Sequence, residues 1–257
     1  MIAGLRSRRH SEEVARIQTT YRQRDATGGD SSHSFSNPGY TFYLQQLEWV
    51  LFATLRRVSF ELPSARALDV GCGGGYFTHR LLEYGATVTG IDLVPERIEA
   101  ARVRYPGIEF WCANAAELPF GDSAFNLVTQ FTCLSSVLDP DLRTAIAAEM
   151  WRVLAPGGAV ISYDLRPASA AVRVIRWLGD RRRRRDGVDH GLVTPTIAIS
   201  EQELRRLFPQ ASLRYASTGL AFGLCRVAAR SYFAAQTLAR LPLLREHGIG
   251  VLVKPSP

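Results

Sequence analysis

Lysine is almost missing from this chain. Of its 31 basic residues only Lys254 is not an arginine, and against 24 acidic residues they leave a formal charge of +7. No glycine loop ends in Gly-Lys-Ser/Thr, which excludes a P-loop phosphate site. Cysteine is scarce: Cys72, Cys112, Cys133 and Cys225 stand far apart, with no CxxC pair and no Cys/His cluster at metal-ligand spacing. That excludes a zinc-ribbon type of site and a disulfide framework, and the thiols are read as free, mostly buried, in a reducing cytosol. No apolar run approaches the ~20 residues that span a bilayer. The basic start, MIAGLRSRRH, is not followed by the apolar stretch of a secretory leader. A soluble, cytoplasmic protein without a metal site is expected. The positive excess suits an anionic small molecule or a membrane surface and is too modest to demand nucleic acid.

What is present is an ordinary globular composition, 46% hydrophobic over 257 residues, enough for one large domain with elaborations. Its most informative stretch is ALDVGCGGGYFTHRLLEYG, residues 67–85. An apolar run broken by Asp69 leads into Gly71, Gly73, Gly74 and Gly75. A helical pattern follows, with Phe77, Leu81 and Leu82 on one face and Gly85 as the stop. Strand, glycine turn and helix open a nucleotide-binding α/β unit, in which glycines let a ligand approach the backbone and the helix start offers unpaired N–H groups. The sixth position of a dinucleotide fingerprint needs glycine, and Tyr76 occupies it, which argues against NAD and FAD. The second strand, residues 86–92, ends on Asp92, about 20 residues past the first glycine, where a carboxylate commonly accepts the ribose hydroxyls; the alternative role is an N-cap for the next helix.

The acid-x-Gly-x-Gly-x-Gly spacing of Asp69, Gly71, Gly73 and Gly75 resembles the Rossmann-like, class I S-adenosylmethionine-dependent methyltransferases of small-molecule type. Two further stretches carry the likeness. Residues 113–120, Ala-Asn-Ala-Ala-Glu-Leu-Pro-Phe, followed by Phe125-Asn126-Leu127-Val128, are similar to a motif whose two acids are here Asn114 and Asn126. Arg152-Val153-Leu154 followed by Pro156-Gly157-Gly158 is a helix end and turn of that family. The resemblance covers about Leu68 to Asp164. It implies a three-layer α/β sandwich around a mostly parallel seven-stranded sheet with one antiparallel strand. It implies S-adenosylmethionine as cofactor and S-adenosylhomocysteine as product. Asp69 and the loop glycines would wrap the methionine part, Asp92 the ribose and Leu93 the adenine. Asn114 would accept from the adenine amino group, with Ala115 offering its N–H; an amide oxygen can still accept, more weakly than a carboxylate. The alternative for Asn114 is a turn residue. Gln130, Phe131 and Thr132, at the carboxyl end of the fourth strand, would line the cleft. The Asn/Asp-Pro-Pro-Tyr/Phe motif of amide and DNA methylation is absent there, and so is a Pro-Cys pair, so no DNA partner is expected.

Outside that core the chain reads as an N-terminal helical cap, residues 1–60, and a domain over 61–257 with insertions at about 165–199 and 219–248. Residues 40–58 form an amphipathic helix with Leu44, Leu47, Val50, Leu51 and Leu55 on its apolar side. Such helices help cap the site in the resembling family, so Tyr21, Tyr40 and Tyr43 are candidate substrate contacts. A helix over residues 168–178 is expected, then a solvated loop carrying Arg181 to Arg185, with an anion-attracting lid as the alternative. Residues 223–241 are expected to form one added helix, for which a lipid-facing role is a further option. An oxygen acceptor needs a base; among His33, His190 and His247 the choice is His190, beside Asp189, and His247 reads as structural. The expected activity is O-methylation of a sugar, polyketide or other secondary metabolite by a monomer or homodimer. N- or C-methylation of a small or lipid-linked acceptor, RNA methylation, and a catalytically silent S-adenosylmethionine-binding protein stay open.

Overall fold

A computed structural model describes residues 2–26, 37–58, 60–185 and 195–256. Two helices lead in, α1 (Ile2–Ala26) and α2 (Pro38–Arg57). Strands and helices then alternate: β1 (Arg66–Val70), α3 (Tyr76–Glu83), β2 (Thr87–Asp92), α4 (Pro95–Arg104), β3 (Glu109–Cys112), β4 (Phe125–Phe131), α5 (Pro140–Val153) and β5 (Leu154–Leu165). The chain finishes with α6 (Ala170–Arg185), α7 (Glu201–Leu207), β6 (Ser212–Leu220), α8 (Phe222–Cys225), α9 (Tyr232–Ala239) and β7 (Arg245–Val253). The seven strands lie in the order β3-β2-β1-β4-β5-β7-β6. All neighbours from β3 to β5 run parallel, and β7 is antiparallel to both β5 and β6. Helices cover both faces, giving the three-layer Rossmann-like arrangement expected from the sequence.

The strands are apolar almost throughout because both faces are covered. On one face Leu68, Val70, Val128 and Val160 pack with Leu142, Ile146 and Met150 of α5 and Leu204 of α7. On the other, Ala67, Leu127, Ile161 and Tyr163 pack with Leu47, Leu51 and Leu55 of α2 and Leu81 of α3. Asp69 pairs in register with Gly90 of β2 and Thr129 of β4, so the carboxyl ends of the three strands form one edge. The strand order reverses beside β1, where ligands sit in open α/β sheets. Glu48 of α2 ties the layer to that edge: it accepts from Arg80 at 2.6 Å and from the Tyr76 hydroxyl at 3.1 Å.

Several expectations are corrected. Leu82 is exposed, because the 77/81 spacing alone closes the α3 face. The arginine run is the last turn and a half of α6, not a loop: arginine is a good helix former, and cations suit a helix C-terminus. The single helix expected over 223–241 is broken into α8, a 3₁₀ turn, α9 and a second 3₁₀ turn, because Ser231 caps a new helix start and Pro242 opens the last turn. β6 and β7 run longer than expected, which shortens the insertion between them to 221–244. Of the cysteines only Cys225 is buried; Cys72 and Cys133 are half-buried and Cys112 is exposed. Asn126 lies at the opposite, amino edge of the sheet, where its Oδ1 accepts the Arg66 N–H at 2.7 Å.

Candidate active site

The glycine loop takes its shape from crowding on one side and space on the other. Gly71, Gly73 and Gly75 all have positive φ, at 72°, 54° and 79°. A Cβ on Gly71 would come within 2.8 Å of the Cys133 Sγ, and one on Gly75 within 2.8 Å of the Phe110 ring. These two glycines are demanded by packing against the turn after β4 and against β3. A Cβ on Gly74 would meet nothing within 4 Å, and one on Gly73 only the tip of Arg97 at 3.8 Å. The open side of the loop is therefore backbone, at the N-terminus of α3, whose Gly75 N-cap supplies no side-chain hydrogen bond.

Two carboxylates stand behind and beside this opening. Asp69 is buried and accepts from Thr78 Oγ1 at 2.8 Å and Thr129 Oγ1 at 3.0 Å. Burial outweighs these bonds and pushes its pKa up to about 6. Asp92 accepts the Gly73 N–H on Oδ2 and the Val94 N–H on Oδ1, each at 2.9 Å. Burial raises its pKa too, against the pull of Val94, Arg97 and Gly73. Val94, not Asp92, occupies the N-cap position of α4. Each carboxylate oxygen has about two lone-pair sites, so Asp92 keeps acceptor capacity for a vicinal diol. Next to it, Asn114 Oδ1 accepts the Ala116 N–H at 3.0 Å and its carbonyl accepts the Glu117 N–H at 3.0 Å. Asn114 thus makes the turn that its alternative reading requires, while Asn114 and Ala115 remain partly exposed.

Gln130 departs from the expectation that it lines the cleft. It is fully buried. Its Nε2 donates to Ser162 Oγ at 2.6 Å and to Asp164, and its Oε1 accepts the N–H groups of Cys133 and Leu134. Asp164 also accepts the Ser135 N–H at 2.9 Å, and burial pushes its pKa up to about 6. This internal network holds the turn after β4, in which Thr132 has a positive φ of 59°. Phe131 stays half-buried and stacks on Phe77, with centroids 4.2 Å apart.

The lead-in helix crosses the same edge. Gln18 Nε2 donates to the Leu93 carbonyl at 3.1 Å, and the Tyr21 hydroxyl meets Ser136 Oγ at 2.7 Å. Arg97 forks onto Asp25 at 2.7 and 2.8 Å and lies 4.2 Å from the Tyr21 ring centroid. Glu13 accepts the Leu138 N–H. Burial raises the Tyr21 phenol pKa. Gln18, Arg97 and Ser136 escaped the sequence reading, because nothing in their spacing shows that α1 folds back over β2 and β4.

The tyrosines expected to act together separate. Tyr21 sits at the β2–β4 end, whereas Tyr40 and Tyr43 stack on each other on α2, with centroids 6.1 Å apart. Tyr43 also packs on Tyr163, Phe222 and His247, at the carboxyl end of β5 and the start of β7. His247 is buried and stacked on Tyr163 at 4.8 Å, and burial lowers its pKa to about 4, so it is neutral at physiological pH. Among the described residues His247 Nδ1 has no hydrogen-bond partner. His33 and His190 lie outside the described residues. Among the described residues no group of three or more His, Cys, Asp or Glu could hold a metal ion, and no helix is long and apolar enough to cross a membrane.

Part of the chain is similar to known proteins. Residues 67–158 match a family model described as a methyltransferase domain. The chain is 33% identical over 131 residues to a malonyl-[acyl-carrier protein] O-methyltransferase of Serratia marcescens, covering 50% of this chain and 47% of that one. It is 35% identical over 122 residues to a ubiquinone biosynthesis O-methyltransferase of Xanthomonas oryzae, covering 45% and 50%. The chain spans about half the length of the curated relatives it matches. Among solved structures, a SAM-dependent methyltransferase from Methanosarcina mazei superposes with a TM-score of 0.54 at 22% identity, over 75% of this chain and 94% of that one, a likeness of fold.

Proposed function

We propose that residues 67–158, which match a methyltransferase-domain model, form a class I, S-adenosylmethionine-dependent methyltransferase domain, and that the protein methylates an oxygen atom of a small-molecule acceptor. The observation that carries the reading is the meeting, at one sheet edge, of an open glycine backbone and a carboxylate with spare acceptor sites, Gly73–Gly74 and Asp92. The cradle fits the cofactor: a Cβ at Gly74 would find space where the methionine part would run. In this reading Asp92 holds the ribose hydroxyls, Leu93 lies on the adenine, and Asn114 and Ala115 meet its edge. Bound S-adenosylmethionine would supply an electrophilic methyl on a sulfonium. The chain's own work is then to hold acceptor and methyl close and collinear, to exclude water, and to take the acceptor's proton.

Tyr40 and Tyr43 on α2, with Phe77 and Phe131, suit an acceptor with an apolar or aromatic body. A polyketide or similar secondary metabolite fits such rings better than a bare sugar does. The curated relatives cited above are named O-methyltransferases, which supports oxygen as the target. His190 is the proposed base. The silent-binder alternative loses one support, since Asn126 has a structural partner at the far edge of the sheet. Release of S-adenosylhomocysteine with a panel of hydroxylated acceptors tests the proposal. Turnover with a phenolic or enolic acceptor, and a pH profile lost in His190→Ala, is expected. Cofactor binding without turnover on any acceptor of the panel would contradict it.

A further inference from the structure

Helix α6 carries apolar side chains on its outer face as well as on its inner one. Val172 is fully buried, and Ile175 lies against Gly223 of α8. Arg176, one turn after Val172, reaches inward to the buried carboxylate of Glu246 on β7, with its Nε 2.6 Å from Oε1. Positions 172, 175, 176 and 179 thus form the inner face. The opposite stripe, 174, 177, 178 and 181, faces outward, and its first three members are Val174, Trp177 and Leu178, exposed at 54%, 52% and 54%. A soluble monomer gains nothing from three large apolar side chains at helical spacing in water.

The patch continues onto the neighbouring segment. Ser169, just before α6, donates to the Leu243 carbonyl in the 3₁₀ turn Pro242–Leu244. Leu241 and Leu243 are exposed at 43% and 51%, and Phe233 on adjacent α9 at 83%. A groove lined by Ala170, Arg173, Val174 and Trp177 opens along the same side.

Charge selects the occupant. Helix α6 contains seven arginines and one aspartate, a surplus of six positive charges, against +7 for the whole chain. Arg181 stacks on the Trp177 ring at 4.3 Å, so cation and aromatic ring present themselves together. A second copy of a patch carrying this excess would repel the first, whereas an anionic surface would not. Apolar and aromatic side chains flanked by arginines, on a helix lying flat on the protein, match the requirements of a bilayer interface with negatively charged headgroups. We propose that α6, with the 242–244 turn and Phe233, docks the protein reversibly on an anionic membrane surface. This rests on the patch alone and is independent of the reaction assigned above.

Co-sedimentation with phosphatidylcholine vesicles, with and without phosphatidylglycerol, tests it on the full chain. Binding to the anionic vesicles, falling as salt rises, is expected. The triple variant Val174→Ser, Trp177→Ser, Leu178→Ser should lose about tenfold or more of that binding, with its thermal melt unchanged because the three side chains are exposed. Replacing Arg181 to Arg185 by glutamine should lose a similar factor on anionic vesicles and nothing on neutral ones. Equal partition of the wild type onto neutral and anionic vesicles, or unaltered binding in both variants, would overturn the proposal. So would absence of vesicle binding together with a homodimer that the triple variant dissociates, since a second copy would then cover the face.

Discussion

Along the carboxyl edge of the sheet, the β1–β3 end is made of backbone and carboxylates, while the β5–β7 end is made of aromatic rings. At the first end Gly71 and Gly75 cannot carry a side chain, Gly73 and Gly74 face space, and Asp92 is fastened by two backbone N–H groups. At the second, Tyr43, Tyr163, Phe222 and His247 pack edge and face, and among the described residues the buried His247 Nδ1 has no partner. The first end is fixed by local geometry. The second is a set of shapes contributed by α2, β5, α8 and β7.

Breaking the first end should have the largest effect. Gly75→Ala puts a Cβ at 2.8 Å from Phe110 on a residue with φ of 79°. A loss of stability of about 2 kcal/mol is expected from chemical denaturation, together with loss of cofactor binding. Gly74→Ala has space in the unliganded chain and should keep its melting temperature while weakening the cofactor. Equal damage from both would mean that the loop is shaped by packing alone.

The buried carboxylates offer the next test. In the folded chain the Asp69 pKa is raised to about 6, above its unfolded value. The folded state therefore holds the proton more tightly, and between about pH 4 and 6 stability falls as pH rises, levelling off above. Asp164 adds to the same slope. Asp69→Asn keeps partners for Thr78 and Thr129, whose hydroxyls can turn, and should flatten part of the slope in urea denaturation across that window. An unchanged slope would assign the effect elsewhere.

Smaller effects separate the two ends. Tyr21→Phe removes a 2.7 Å bond to Ser136 and should cost about 1 kcal/mol, with cofactor dissociation a few-fold faster by stopped flow. Tyr43→Phe, at the other end, should leave cofactor affinity within error and alter only the KM for the acceptor. The reverse pattern would erase the distinction between the ends.

The sequence made these ends unequally legible for the same physical reason. A loop that must be glycine and a carboxylate at a strand end are local requirements, so the glycine turn after β1 and Asp92 at the end of β2 could be read from spacing, while the mixed seven-stranded sheet came from the family resemblance. Gln130 was misassigned because position at a strand end does not tell whether a side chain turns outward or into Ser162 and Asp164. The arginine run was misread because charge suggested solvent, while helix propensity carried α6 through it. The fold-back of α1, through Gln18, Tyr21 and Asp25, depends on partners more than 70 residues away, which no local pattern encodes.

The central claim is that the edge formed by the glycine loop and Asp92 holds S-adenosylmethionine. Calorimetric titration of the wild type and Asp92→Ala with S-adenosylmethionine tests it most directly. Losing hydrogen bonds to a charged acceptor should weaken binding about 100-fold in the variant, with one site per wild-type chain. Equal affinity in the two proteins would contradict it.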